Sequence, residues 1–262
     1  MEKDIKKNYF ETQWGRTFSP PKDVQFVVYS REIWNFAMNL LRDSKTVVDL
    51  GAGGGTLLYN VQKITKASLI AVDISNEALR QLRMMVPKAK IVVEDVTATS
   101  LNDESCDFCL SSMVIEHVDD NKIIKEVYRI LHPGGYFLIT SVLKAKGAWY
   151  FYKNKDGMTA LEPSHLREYT SLEEFIGLLT EGGFKILKVE TPRIKFPLVD
   201  PLFKTIFRAS KSEFWGNLPT TRPMELIRKI ARVPIPGYYA IEVVAQKIKK
   251  KDIKTEDRKE PL

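Results

Sequence analysis

The chain has 262 residues, a hydrophobic fraction of 44% and a formal net charge of +7, enough length for one substantial α/β core with decorations. No apolar run reaches the roughly 18–20 residues of a membrane-spanning helix, and the opening "MEKDIKKNYF" lacks the apolar stretch of a signal peptide, so a cytoplasmic protein is expected. The positive excess sits in the last third, where residues 185–262 hold 18 Lys and Arg against 9 Asp and Glu and residues 1–184 hold 22 against 24. Such asymmetry suits an anionic substrate, peripheral contact with an anionic membrane, or nucleic acid.

Residues 1–44 read as an N-terminal helical cap that carries Trp14 and Trp34. From residue 45 the pattern becomes regular. "TVVDL" is a strand, "GAGGG" a turn and "TLLYNVQKI" a helix; "SLIAVDI" and "NEALRQLRMMV" repeat the alternation, with Asn76 expected to cap the helix. "AKIVVED" is the third strand, and "CDFCLSSM" is the fourth, followed by the helix "NKIIKEVYRIL". "GYFLITSV" is the fifth strand. The helix "SLEEFIGLLTEGGF" starts at Ser171 and stops at Gly182-Gly183, and "FKILKVE" and "YYAIEVVAQKI" are the last two strands. This alternation predicts an α/β fold, a doubly wound, mostly parallel seven-stranded sheet covered by helices on both faces. The core is assigned to 45–194 and 238–248, an insertion to 195–237 and a polar tail to 249–262.

In such a sheet, ligands bind beyond the carboxyl ends of the strands. The turn after the first strand has glycines at 51, 53, 54 and 55, a backbone bare enough for a ligand to approach main-chain atoms. A dinucleotide fingerprint needs a third spaced glycine where this chain has Thr56, whereas D-x-G-x-G-x-G fits without a gap as Asp49, Gly51, Gly53 and Gly55. Asp73 ends the second strand and Asp95 the third; "SSMVIEHV" ends the fourth. Cys106 and Cys109 have redox-pair spacing. In a strand, however, an i, i+3 pair points to opposite faces, so two buried thiols are expected and no metal site is assigned.

The succession "VVDLGAGGGTLL", "AVDIS", "VEDVTATSL", "CDFCLSSMVIEHVDD" and "VYRILHPGGYFLIT" closely resembles the type 11 subfamily of class I S-adenosylmethionine-dependent methyltransferases, over roughly residues 45–190 and the final strand. The resemblance implies a Rossmann-like methyltransferase fold with S-adenosyl-L-methionine as cofactor. It assigns Asp49, Gly51, Ala52 and Gly53 to the methionine end, Asp73 to the ribose, Ile74 to the adenine face, Asp95 and the Val96 amide to the adenine edge, and the Ser111 carbonyl to the amino group. Cys106 stands where the family often has phenylalanine, which leaves these assignments untouched.

An oxygen or nitrogen acceptor of low acidity needs a base beside the methyl group. His117, after the fourth strand, and His165, in "EPSHLREYT", are candidates, with Tyr169 a weaker one; His132 lies at the wrong end of the sheet. All four tryptophans fall outside the core motifs. Trp14, Trp149 and Trp215, with Phe203 and Phe207 on an amphipathic stretch of the insertion, are expected to form a substrate lid. The function expected is methyl transfer, most readily to oxygen, on a small-molecule or lipid-like acceptor. A nucleic-acid or protein substrate and a non-catalytic cofactor-binding subunit stand as alternatives. Nucleic acid is disfavoured because the fourth-strand block lacks the N/D-P-P-Y/F form, and a nicotinamide oxidoreductase comes last.

Overall fold

The computed structural model describes residues 2–15, 22–150, 152–154, 157–197 and 232–248. The N-terminal segment forms α1 (Glu2–Gly15) and α2 (Arg31–Leu41). The core then alternates β1 (Thr46–Leu50), α3 (Thr56–Val61), β2 (Ser68–Asp73), α4 (Asn76–Met85), β3 (Lys90–Val93), β4 (Cys106–Ser112), α5 (Asp120–Ile130) and β5 (Leu131–Lys144). A short ribbon, β6 (Tyr152–Lys153) with β7 (Thr159–Ala160), precedes α6 (Leu172–Glu181), β8 (Phe184–Glu190), β9 (Arg193–Pro197) and β10 (Arg232–Lys247).

The strand order is β3-β2-β1-β4-β5-β10-β8, with β9 paired to β10. Strands β1 to β5 are parallel. Because β10 is antiparallel to both β5 and β8, β8 runs in the direction of the first five. The order reverses between β1 and β4, which is where an open α/β sheet opens its crevice. Central parallel strands are covered on both faces and so read as continuous apolar runs; Val47, Val48 and Leu50 of β1 are fully buried.

One face packs Ile123, Ile124, Val127 and Ile130 of α5 and Phe175 and Leu179 of α6 against the sheet. The other packs Ile33, Ala37, Met38 and Leu41 of α2 and Leu79 and Leu82 of α4. The three- and four-residue steps within these sets are the stripe that makes each helix bury one side, at about 1.5–3 kcal/mol per fully buried large side chain.

Four sequence expectations need correction. Ser75, not Asn76, caps α4: its extended backbone lets the hydroxyl accept from the Ala78 amide, and Asn76 is the first helical residue. The cap at Ser171 and the stop at Gly182 are as expected. The two cysteines do not face opposite sides, because the β4–β5 register shifts between Cys106 and Phe108 and both thiols join one core layer, free and buried. The sheet has an eighth strand, β9, and β10 starts at Arg232 instead of 238, so both ends of the expected insertion continue the sheet as an antiparallel ladder. Of that insertion, residues 198–231 lie outside the described residues, and so do Phe203, Phe207 and Trp215.

The N-terminal segment is fastened to the sheet by a buried carboxylate. Glu242 of β10 accepts from the Tyr29 amide and, at 2.9 Å, from the Ser30 amide at the entry to α2. Burial pushes its pKa up to about 7 against the pull of those amides. Glu242→Ala leaves two buried amides without an acceptor, and the expected cost is about 2–4 kcal/mol. Urea unfolding of the variant at neutral pH measures it; a loss below 1 kcal/mol would show that the segment is held elsewhere.

Candidate active site

The carboxyl ends of β1, β2 and β4, the turn after β3 and the face of α1 enclose one cavity of about 840 Å³. Asp49, Gly51, Ala52, Gly53, Asp73, Ile74, Asp95 and Val96 all line it. Ser111 does not: it is buried within β4, and its neighbour Ser112 faces the cavity instead.

The glycine turn is built by sterics. The amides of Gly51 and Ala52 donate to the Val72 carbonyl at 2.8 and 3.0 Å, holding the turn against β2. Gly51 has φ +77°, and a Cβ there would stand 2.3 Å from a Val114 methyl. At Gly53, φ +49°, a Cβ would meet the Trp14 ring at 2.8 Å. Both positions thus exclude a side chain through conformation and through space.

Two carboxylates sit side by side at this turn. Asp73 is well provided for: one oxygen accepts from the Gly53 amide at 2.8 Å and the other from the Ser75 amide at 2.9 Å. Burial still raises its pKa above the usual range. Asp49 is 1% exposed and neither of its oxygens has a hydrogen-bond partner among the described residues. Burial first, and the charge of Asp73 second, push its pKa up to about 8. A buried carboxyl with no partner, facing a cavity, asks for a donor or a cation from a ligand. Asp95 is oriented by the Thr97 amide and hydroxyl, at 3.0 and 2.7 Å.

Helix α1 closes the cavity. Phe10 and Trp14, one helical turn apart, line it. Between them Glu11 reaches the N-terminus of α4, accepting from the amides of Asn76 and Glu77 at 2.8 and 2.9 Å and from the Ser75 hydroxyl at 3.0 Å. A carboxylate at a helix N-terminus is favourable, so this contact sets where α1 lies. Phe10 and Glu11 were not singled out from the sequence, although the i, i+4 pair Phe10 and Trp14 marks one helix face.

The candidate bases separate. His117 lines the cavity, edge-on to Phe10 with ring centroids 5.4 Å apart. His165 stands behind it, the two imidazoles 4.8 Å apart. Burial disfavours a charged His165, but its hydrogen bond to Glu168 and the fields of Glu116, Glu162 and Glu168 outweigh that and raise its pKa. Tyr169 is a core residue, stacked edge-on with Phe175, its hydroxyl donating to Asp120 at 3.3 Å, and burial drives its pKa up. It does not reach the cavity. His132 is exposed at the amino end of β5. Trp34 packs into the core layer under α2. Trp149 is 54% exposed and off the cavity, because the Ala145 and Trp149 amides tie its loop to Gly237 and Pro236 of β10. Glu116, fully buried and missed in the sequence, lies with the two histidines; within "VIEHVDD" nothing distinguishes it from a solvated turn residue.

Residues 48–139 match the family model described as a methyltransferase domain. The chain is 26% identical over 190 residues to malonyl-[acyl-carrier protein] O-methyltransferase of Marinomonas sp., covering 69% of this chain and 66% of that protein. It is 31% identical over 194 residues to the protein of the same name from Methylococcus capsulatus, covering 70% and 66%. A probable S-adenosylmethionine-dependent methyltransferase of Mycolicibacterium smegmatis matches at 28% over 145 residues, covering 54% and 52%. The chain therefore spans about two thirds or less of the length of these curated relatives. Among solved structures, a putative methyltransferase of Bacillus halodurans superposes with a TM-score of 0.60 at 18% identity, covering 83% of this chain and 97% of that one.

S-adenosylmethionine fits the site: it carries positive charge on a sulfonium and an ammonium, and Asp49 is the buried carboxyl without a partner. Sign follows from the raised pKa. In the cofactor-free chain, the proton on Asp49 adds a stability contribution that is complete below the ordinary value of 3.8 and is lost as pH rises through about 8. A bound cation favours the carboxylate, so cofactor affinity should rise with pH up to about 8, with a proton released on binding. Asp49→Asn should melt above wild type at pH 8–9 without cofactor and bind cofactor about 10–100-fold more weakly. Calorimetry in two buffers of different ionisation enthalpy, with thermal melts, tests both; binding without proton uptake or release would remove Asp49 from the cationic end.

Proposed function

The chain belongs to the class I S-adenosylmethionine-dependent methyltransferases of the type 11 family, and from that premise we propose that it methylates an oxygen of a small-molecule or lipid-like acceptor, and that this oxygen belongs to a carboxyl group. The observation that carries the reading is the single cavity in which the residues assigned to the cofactor, His117 and Lys122 share one wall system. The two relatives named as malonyl-[acyl-carrier protein] O-methyltransferases support oxygen as the acceptor atom.

Bound S-adenosylmethionine supplies an electrophilic methyl group on a sulfonium, whose positive charge disperses as the methyl leaves. The residues of this chain then have three tasks. Asp49, Asp73, Asp95 and the glycine turn bind and orient. Phe10, Trp14, Val114 and Leu166 give apolar walls that exclude water from the displacement, where alignment and desolvation dominate. His117 and Lys122 meet the acceptor with polar groups suited to an anion. A carboxyl acceptor, with a pKa of about 4, is already ionised at neutral pH and needs no base. The proposal extends to residues 198–231 as the acceptor-selecting segment: the strands that flank it are β9 and the start of β10, and Tyr238 of β10 pairs with Lys144 at the carboxyl end of β5, the cavity side of the sheet.

Two measurements test the reading. Asp73→Ala should weaken cofactor binding about 10–100-fold by leaving hydroxyls unpaired. Turnover at saturating cofactor should be flat with pH from 6 to 9, and the transferred methyl should be released by mild alkali, as an ester is. An alkali-stable methyl, together with turnover that climbs with pH and falls about 100-fold or more in His117→Ala, would mark a hydroxyl or amine acceptor that depends on a base.

A further inference from the structure

Behind the wall formed by His117 lies a second constellation. Glu116 and His117 occupy the 3-10 turn Ile115–His117 after β4, and the loop before α6 brings His165 against them. One donor atom from each of Glu116, His117 and His165 lies within 4.8 Å of the others. The Glu116 carboxylate is fully buried; one oxygen accepts from the Ser141 hydroxyl at 3.1 Å, and the other has no partner among the described residues.

The two imidazoles are held from behind. His165 Nδ1 meets Glu168 Oε1 at 2.8 Å, and His117 Nδ1 meets the Ser164 hydroxyl at 3.1 Å and the Ser164 carbonyl at 3.4 Å. Carboxylates and carbonyls only accept, so each neutral ring carries its hydrogen on Nδ1 and keeps the Nε2 lone pair. Glu168 is itself fixed, accepting from the Leu161 amide at 2.6 Å and the Tyr238 hydroxyl at 3.1 Å, with Lys144 at 3.6 Å. Histidines oriented this way by a carboxylate or a carbonyl are the usual support of metal ligands.

We propose that Glu116, His117 and His165 form a binding site for one divalent transition-metal cation of the zinc class. Two imidazole nitrogens and one carboxylate oxygen suit zinc, iron or manganese and do not suit magnesium or calcium, which take all-oxygen sets. Zinc bonds of about 2.0–2.1 Å require the three donors to tighten by roughly 1 Å from their present spread. The cation offsets the charge of a carboxylate that is otherwise buried with half its lone pairs unused. Three protein ligands leave a coordination position open, and His117 is the one ligand of the three that is also part of the cavity wall. The metal site does not depend on the acceptor reading above.

The test is metal binding by the full chain, stripped with chelator and free of cofactor and acceptor, so it stands apart from any failure to observe methyl transfer. Titration with Zn2+ should show one equivalent bound at micromolar affinity or tighter. Glu116→Gln and His165→Ala should each weaken it by about 100-fold or more, and Glu168→Gln, which touches no ligand but His165, by about 10–100-fold. Substitution of Co2+ in the wild-type chain gives a ligand-field spectrum that needs no variant to fold; it should show nitrogen and oxygen donors and no thiolate charge-transfer band. The proposal is overturned if the wild-type chain takes up no Zn2+, if a folded Glu116→Gln binds it as wild type does, or if the Co2+ spectrum carries a thiolate band, which would place the metal at Cys106 or Cys109.

Discussion

Two acidic side chains brought together in a dry crevice set the terms for the rest of this molecule. Asp49 lies opposite Ala71 in the β1–β2 register and Asp73 ends β2 two positions further on, both near the carboxyl ends of adjacent parallel strands, so the topology itself brings them near each other. The protein relieves only one of them. Backbone amides from Gly53 and Ser75 reach Asp73, whereas Asp49 has no partner among the described residues. The Gly53 amide reaches Asp73 from a turn that follows positive φ at Gly51 and Gly53. The uncompensated carboxyl is thus a cost carried by the cofactor-free fold, one that a cationic ligand in the cavity would offset. Strain of this kind at a binding site is how selectivity for charge is built in ahead of contact.

Closure of the crevice depends on a helix that belongs to no core layer. α1 makes its main contact with α4, and that contact is centred on Glu11 at the N-terminus of α4, directly after the strand that ends in Asp73. The same turn of α1 that supplies Glu11 supplies Phe10 against His117 and, one turn on, Trp14 over Gly53. The cofactor end and the acceptor end are therefore roofed by one element. Its position is set by the hydrogen bonds of Glu11 to Ser75, Asn76 and Glu77, between β2 and the first turn of α4.

Much of this was legible in the sequence because it is written in local periodicity. The strand runs and the glycine turn follow from rules that act over a few residues, and eight of the nine cofactor residues named from the motifs do line the cavity. Ser111, named for its carbonyl, is not among the residues that line the cavity, while its neighbour Ser112 is, since which of two neighbours on a strand faces a crevice depends on strand end and twist. Trp149 failed because a loop's direction is decided by its distant partners, here Pro236 and Gly237. Cys106 was misplaced by a register shift that alternation cannot foresee. Glu116 escaped for a deeper reason: a carboxylate in a polar turn reads as solvated, and only the arrival of His165, 49 positions later in the chain, encloses it.

The same long-range logic links the β9–β10 ladder to the histidine pair. Tyr238 is fully buried in a satellite core with Val142, Ile194 and Ile235, the apolar anchor of the β9–β10 ladder. Its hydroxyl donates to Glu168, which in turn orients His165. A conventional hairpin between the last two strands would turn before this ladder formed. β10 extends back to Arg232 and is the strand whose Tyr238 fixes Glu168. A short path of buried contacts therefore joins this strand to the histidine pair, while β1 and β2, which carry Asp49 and Asp73, lie on the other side of β4 and β5 in the sheet.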